Sequence, residues 1–229
     1  MFILALDTTT RGGSVAVTRD QQLLALVPGD AARSHSERLP AEIEAALAQA
    51  GVRRDELGLL AVATGPGAFT GLRIGLAAMQ GLAMTLHLPV IGISALDALA
   101  AEAGAALVAP WMDAQRGEVF AMLLDTVSGA TLEAPVAGPP AAVLEAWRAH
   151  LDGRAAIFIG DAAERDAALI AAGGAGQWIT RTPPPLAPAL ARIAGRRAAR
   201  GEGGLPHELT PIYVRRPDVE IERERREPR

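Results

Sequence analysis

The chain opens on an unbroken apolar run, Phe2 to Leu6, that stops at Asp7. Two more apolar stretches follow, residues 14–18 and 22–27, separated only by short polar turns. Strands with connections this short must lie side by side, so the pattern predicts an antiparallel meander. The period then changes. Leu39, Ile43, Leu47 and Ala50 recur at helical spacing and Gly51 follows as a C-terminal cap would, predicting a helix over 35–50. Residues 59–64 are apolar without alternation, as in a buried parallel strand. A glycine-rich loop leads into a helix at about 70–86, and a strand at 89–93 comes next. Ser94-Ala95-Leu96-Asp97 has the S-x-x-D form of a capping box and opens a third helix.

The same order then returns. Residues 106–112 run into Asp113; residues 118–124 and about 131–136 complete a second meander. A helix at about 140–150, a strand at 155–159 and a helix at about 162–172, capped by Asp161, follow. The first turns are also alike: Asp7-x-x-x-Arg11-Gly12 in one half, Asp113-x-x-Arg116-Gly117 in the other. The order βββαβα, twice, predicts a duplicated α/β protein with a cleft between its halves. The expected division is 1–104, 105–182 and 183–216. The last of these comprises the Pro183–Pro185 linker, a basic-faced helix at about 187–201 and an extended segment at 210–216 that packs back on the body. Residues 217–229 are mixed charge and read as a solvated, disordered tail.

Composition narrows the chemistry. All 22 basic residues are Arg, and Cys is absent. That excludes a P-loop lysine, a Schiff base, thiol nucleophiles and thiolate metal sites. The four His (35, 87, 150, 207) are never within a helical turn of one another, so helical zinc pairs are excluded too. Hydrophobic residues make up 50% but aromatics only 3%, so the core must gain its area from close approach at Ala and Gly. The net charge of −4 argues against nucleic-acid binding by this chain alone. The N-terminus lacks the basic region of a signal peptide, and no apolar run reaches the ~20 residues of a membrane span. A cytoplasmic location without membrane contact is expected.

The candidate site residues lie at strand ends. Gly65 and Gly67 belong to the loop Gly65-Pro66-Gly67-Ala68-Phe69-Thr70-Gly71, at the carboxyl end of a strand, where α/β sheets bind ligands. The spacing fits neither the dinucleotide fingerprint nor a Walker loop. Close helix packing through Gly71, Gly75, Ala78 and Gly81 is the favoured alternative to phosphate binding. Asp7 and Asp113 are placed to hold a hydrated Mg²⁺ beside a nucleotide, with Thr8 and Thr9 offering hydroxyls and N–H groups. The competing reading for Asp7 is an Asx bond within its own turn.

Several motifs together point to one family. The residues Ile3 to Thr10 (ILALDTTT), His35-Ser36-Glu37-Arg38-Leu39, GPGAFTGLRIGLAAMQGLA, VIGISALDALA, DAQRGEVFAML and LTPIYVRR occur in order from residue 3 to about 216. This pattern resembles the bacterial TsaB (YeaZ) family of tRNA threonylcarbamoyladenosine biosynthesis proteins. The resemblance implies the actin-like ATPase (ASKHA) fold, built from duplicated ribonuclease-H-like units. It also implies a non-catalytic paralogue of the catalytic subunit TsaD, acting with TsaD and the ATPase TsaE to modify adenosine in tRNAs that read A-starting codons. The catalytic relative carries H-x-x-x-H after its glycine loop and following strand. Here those positions fall at Ala95 and Leu99, so no imidazole is available and protease activity is not expected.

No cofactor is then required, ATP or ADP binding is weak or absent, and tRNA is met only through the complex. The resemblance places dimerisation, with itself when alone or with TsaD, on the helices at 35–50 and 70–86. Leu39, Ile43, Leu76, Met79 and Ala83 are the expected buried contacts, with Gly75 and Ala78 allowing close approach. The alternative is a small nucleotide-dependent enzyme of the same fold using Asp7 and Asp113.

Overall fold

A computed structural model describes residues 1–215. The charged tail at 217–229, and the last residue of the extended segment expected at 210–216, lie outside the described residues.

The first meander consists of β1 (Phe2–Asp7), β2 (Ser14–Arg19) and β3 (Gln22–Pro28). Helix α1 (His35–Ala50) follows, then β4 (Leu57–Gly65), α2 (Phe69–Leu86), β5 (Val90–Ser94) and α3 (Ala95–Ala103). The second half repeats the plan with β6 (Leu107–Asp113), β7 (Val119–Asp125) and β8 (Ala130–Gly138). Helices α4 (Pro140–Ala146) and α5 (Arg148–Leu151), strand β9 (Ala156–Ile159), helices α6 (Asp161–Arg165) and α7 (Ala167–Gly173), and strand β10 (Trp178–Arg181) complete it. Helix α8 (Ala187–Ala198) is the last α-helix among the described residues, and a short 3-10 turn at Pro206–Glu208 follows it.

Each half forms a five-stranded sheet with the same topology. The orders are β3-β2-β1-β4-β5 and β8-β7-β6-β9-β10; the meander pairs are antiparallel and the remaining pairs parallel. The register makes the repeat concrete: Asp7 pairs with Ser14 at the end of β1, and Asp113 with Val119 at the end of β6. This duplicated arrangement is the actin-like ATPase fold.

Both faces of each sheet are covered, which is why the central strands show no polar alternation. In β1, Leu4 and Leu6 face an outer layer shared with Leu39, Ile43, Leu72 and Met79 of α1 and α2. Ile3 and Ala5 face the opposite way, into a layer between the two sheets that holds α3 and α8. A second outer layer carries the protein's three Trp residues, Trp111, Trp147 and Trp178. Helix α8 lies on β1, β2 and β4 of the first sheet, whereas α3 packs chiefly on β6 of the second. The terminal helix of each half therefore covers the other half's sheet, and this exchange fixes the cleft walls.

Three expectations are corrected, and one strand was not foreseen. The helix expected at 140–150 is broken at Trp147, and that at 162–172 is broken at Asp166. Asp161 is not the cap; Gly160 is, and Asp161 opens α6. Strand β10 is absent from the sequence reading, because it has four residues and follows a Gly-rich stretch with no usable period. The segment expected to be extended at 210–216 forms no strand among its described residues, but Ile212 donates its N–H to the Thr64 carbonyl at 2.7 Å.

Candidate functional site

A cleft of about 960 Å³ opens between the halves. Its walls are the β1–β2 turn, the start of α1, the glycine loop, the β6–β7 turn and residues 212–215. These elements meet because both sheets end their first strand on the same side, at Asp7 and at Asp113.

Asp7 is 1% exposed, and its carboxylate is occupied by its own turn. Oδ1 accepts the Thr9 N–H at 2.8 Å and the Thr9 hydroxyl; Oδ2 accepts the Thr10 hydroxyl at 2.9 Å. The Thr10 hydroxyl in turn accepts the Gly13 N–H at 3.1 Å. Burial raises the Asp7 pKa, and the bonds from Thr9 and Thr10 work against that rise. The arrangement is an Asx turn closed by two hydroxyls.

Asp113 is similarly engaged. It accepts from Arg165 at 2.7 Å and from the Gln115 backbone and side chain at 3.1 and 2.8 Å. Its own N–H donates to Asp161 Oδ1 at 2.9 Å. Burial, ahead of all other causes, raises the Asp161 pKa. Gln115 and Arg116 both adopt left-handed backbone, φ 63° and 57°, so these bonds hold a conformation that non-glycine residues seldom take.

The glycines serve packing inside the chain. A Cβ on Gly75 would lie 2.1 Å from Thr8 Oγ1, and one on Gly67 would lie 2.5 Å from Thr9 Cβ. Thr8 is buried and its hydroxyl has no hydrogen-bond partner among the described residues. Gly65 has φ 109°, and a Cβ there would meet the Ile212 carbonyl at 2.7 Å. These residues do not fit a hydrated metal with a nucleotide phosphate: the carboxylate oxygens of Asp7 and Asp113 already accept from the chain, and Thr8 points under α2 rather than into the cleft.

The sequence reading passed over the buried Arg38, 3% exposed on α1. Its guanidinium pairs with Glu42, donates to the carbonyls of Gly12 and Arg33, and lies 2.8 Å from His35 Nδ1. A guanidinium only donates, so Nδ1 accepts, and His35 Nε2 carries the proton and donates to the Thr10 carbonyl at 3.2 Å. Burial, reinforced by the Arg38 charge, lowers the His35 pKa, in keeping with this neutral tautomer. The hydrogen bonds from Arg38 to Gly12 and from His35 to Thr10 thus tie α1 to the β1–β2 turn, while the Arg38–Glu42 ion pair lies within α1. Its sequence signal is an Arg falling on the apolar stripe of α1, next to Leu39.

The expected contact residues face inward. Leu39, Ile43, Leu76, Met79 and Ala83 are buried in the chain's own core, and Gly75 packs on Thr8. Ala78 alone of the seven is partly open. The outward face of α2 carries Ala77, Gly81 and Met84 instead; Met84 is 67% exposed and Gly81 has open space beside it.

Comparison with known proteins agrees with this architecture. The sequence model of TsaD, tRNA N6-adenosine threonylcarbamoyltransferase, matches residues 18–141. The uncharacterized protein Rv3421c of Mycobacterium tuberculosis is 35% identical over 225 residues, covering 95% of this chain and 93% of its own. The tRNA threonylcarbamoyladenosine biosynthesis protein TsaB of Escherichia coli is 39% identical over 127 residues, about half of each chain (52% and 53%). The solved structure of YeaZ from Pseudomonas aeruginosa superposes with a TM-score of 0.73 at 30% identity, covering 93% of this chain and 99% of YeaZ. With one sheet topology, one cleft and near-complete overlap, this chain belongs to the TsaB (YeaZ) family of tRNA threonylcarbamoyladenosine biosynthesis proteins.

Proposed function

We propose that the chain is a non-catalytic accessory subunit that binds and positions a TsaD-like catalytic subunit during threonylcarbamoyladenosine formation. The observation that carries this reading is the state of the two strand-end carboxylates: Asp7, buried beneath the cleft turn, and Asp113 are both engaged by the chain's own donors. Ala95 and Leu99, where the resemblance places the catalytic relative's His pair, are buried and apolar. On this reading no cofactor is required, the chain binds ATP or ADP no tighter than about millimolar, and a TsaE-like ATPase and tRNA join through the complex. No helix among the described residues is long and apolar enough to cross a membrane; the proposed location is the cytoplasm.

The test is reconstitution. The chain, TsaD-like and TsaE-like subunits, unmodified tRNA and threonylcarbamoyl-adenylate are combined, and modified adenosine is measured with and without the chain. Omission is expected to reduce modification at least tenfold. An equal yield without the chain removes the reading.

Pairing is proposed to use the outward face of α1 and α2, both with the partner and, when the chain is alone, with a second copy. Ala77, Gly81 and Met84 present a shallow small-residue surface there. Met84→Arg is expected to weaken pairing at least tenfold, ~1.4 kcal/mol, with the unfolding midpoint unchanged. Sedimentation reads the first and urea unfolding the second. Undiminished pairing would move the contact elsewhere.

A further inference from the structure

The charge that lines the cleft is not the charge of the whole chain. Its acids are matched: Asp113 pairs with Arg165, and Glu118 beside the cleft pairs with Arg215 at 2.8 Å. Asp161 accepts backbone N–H groups from Asp113 and Ala162. Arg11 and Arg33 line the same cleft, are exposed, and have no acidic partner among the described residues. The β6–β7 turn, held in left-handed backbone by Asp113, brings Arg116 to this wall as well.

Aromatic residues are scarce in this protein, yet two share the cleft mouth. Phe69 and Tyr213 lie with ring centroids 5.7 Å apart at 30°, and are 37% and 39% exposed. Arg73 sits 3.9 Å from the Phe69 centroid and donates to the Tyr213 hydroxyl at 3.1 Å, fixing the two rings as one platform. Their exposure does not come from a shortage of core, because Trp111 and Phe158 are fully buried.

We infer that this cleft contacts a single-stranded segment of RNA, with phosphates at Arg11 and Arg33 and a base against the Phe69–Tyr213 platform. Arg11 and Arg33 beside exposed rings form the combination that tracks a single strand: charge for the backbone, π faces for the bases. An acidic peptide would use the arginines but has no base to stack. A metal-bound nucleotide needs free carboxylates, which Asp7 and Asp113 do not supply; backbone phosphates bound by arginine need no metal. The net charge of −4 does not oppose the contact, because surface acids more than about 10 Å away are largely screened at 0.1 M salt. The inference rests on the proposed place of the chain in a tRNA-modifying complex for the choice of RNA, and on the cleft alone for the site.

The test is fluorescence anisotropy of a labelled anticodon stem-loop, titrated with the full chain alone and with the chain mixed with the TsaD-like subunit. Saturable binding is expected of the mixture, with the chain alone binding more weakly. In Arg11→Ala/Arg33→Ala the slope of log K against log salt should shrink by about 1.4, two phosphate contacts on a single strand. Phe69→Ala should weaken binding at least about fivefold, the lower end of one lost base stack. Phe69→Leu, which keeps the apolar bulk, should lose nearly as much. Urea midpoints confirm that each variant folds. Absence of saturable binding, equal binding by all variants, or equal competition by polyglutamate or free ATP would each overturn the inference. Pairing of the same variants with the TsaD-like subunit is measured in parallel. Intact pairing with no RNA contact overturns this inference and leaves the accessory reading standing; RNA contact without pairing does the reverse.

Discussion

Arg38→Ala is expected to lower the unfolding free energy by about 3–5 kcal/mol, the range for removing one partner of a buried ion pair. Arg38 is 3% exposed and Glu42 14%, so truncating the arginine leaves a carboxylate that reaches little water. It also strands the carbonyls of Gly12 and Arg33 and the Nδ1 of His35, each buried or partly buried. Nothing nearby refills the space, because Gly29 lies against the guanidinium with no side chain of its own. Replacing both charges, as in Arg38→Met/Glu42→Leu, should recover only the part due to the unpaired Glu42 carboxylate, since the Gly12 and Arg33 carbonyls and His35 Nδ1 stay without their donor. Urea unfolding of the two single variants and the double variant gives the coupling. A loss below about 1 kcal/mol for Arg38→Ala would mean that water already screens the pair.

The same variant has a pH signature. In the folded protein, burial and the Arg38 charge hold the His35 pKa below its ordinary value of 6.5. The unfolded chain therefore binds a proton that the folded chain refuses, and stability falls as pH drops below about 6.5. Removing Arg38 lifts the second cause only. The His35 pKa should rise, so the fall in stability should still begin near 6.5 but level off at higher pH and be smaller in total. An NMR titration of the His35 ring reads this directly. A looser α1 would also raise this pKa by relieving burial, so Arg38→Met, which removes the charge and keeps most of the bulk, is titrated beside Arg38→Ala to separate charge from packing.

The elements that the sequence revealed are those whose signals are local. Helix α1 spans 35–50 as expected, because the apolar stripe ends at Gly51, whose φ of 64° lets it cap the helix through the Leu47 and Ala48 carbonyls. Ser94 caps α3 by accepting the Asp97 N–H at 3.4 Å, as the S-x-x-D spacing implied. Both meanders were legible from short turns. The site was less so, because its decisive contacts join distant segments: Arg38 reaches Gly12, 26 positions away, and Ile212 reaches Thr64. The expected contact residues turn inward for a different reason. Helical periodicity finds an apolar stripe, and in α2 that stripe, Leu72, Leu76, Met79 and Ala83, covers the chain's own sheet. The opposite face, proposed above for pairing, carries small and mixed residues that leave no period to read.

Gly160→Ala is expected to cost about 3–5 kcal/mol, far more than the loss of one methyl-sized space suggests. Gly160 follows β9 and stands where Gly65 stands in the first half, at the end of the strand beside the central one. Its φ is 152°, and a Cβ there would lie 2.0 Å from the Trp111 carbonyl oxygen and 2.6 Å from its carbon. Those are backbone atoms of the neighbouring strand, so the clash cannot be relieved by turning a side chain. Nor can β6 retreat. The Trp111 ring is fully buried, packs edge-on against Trp147 and Phe158 at 5.8 and 5.4 Å, and donates to Asp166 at 2.9 Å. Backbone strain of ~1–3 kcal/mol and overpacking of similar size therefore act together. Gly153→Ala is the control: its φ is also positive, at 64°, but no atom lies within 4 Å, so only the left-handed penalty of ~1–2 kcal/mol remains. Urea unfolding ranks the two, and near-ultraviolet circular dichroism shows whether the tryptophan cluster moves. Equal costs would mean that β6 yields. The effect should reach the cleft, since Asp161, the next residue, holds the Asp113 N–H and with it the turn that carries Arg116.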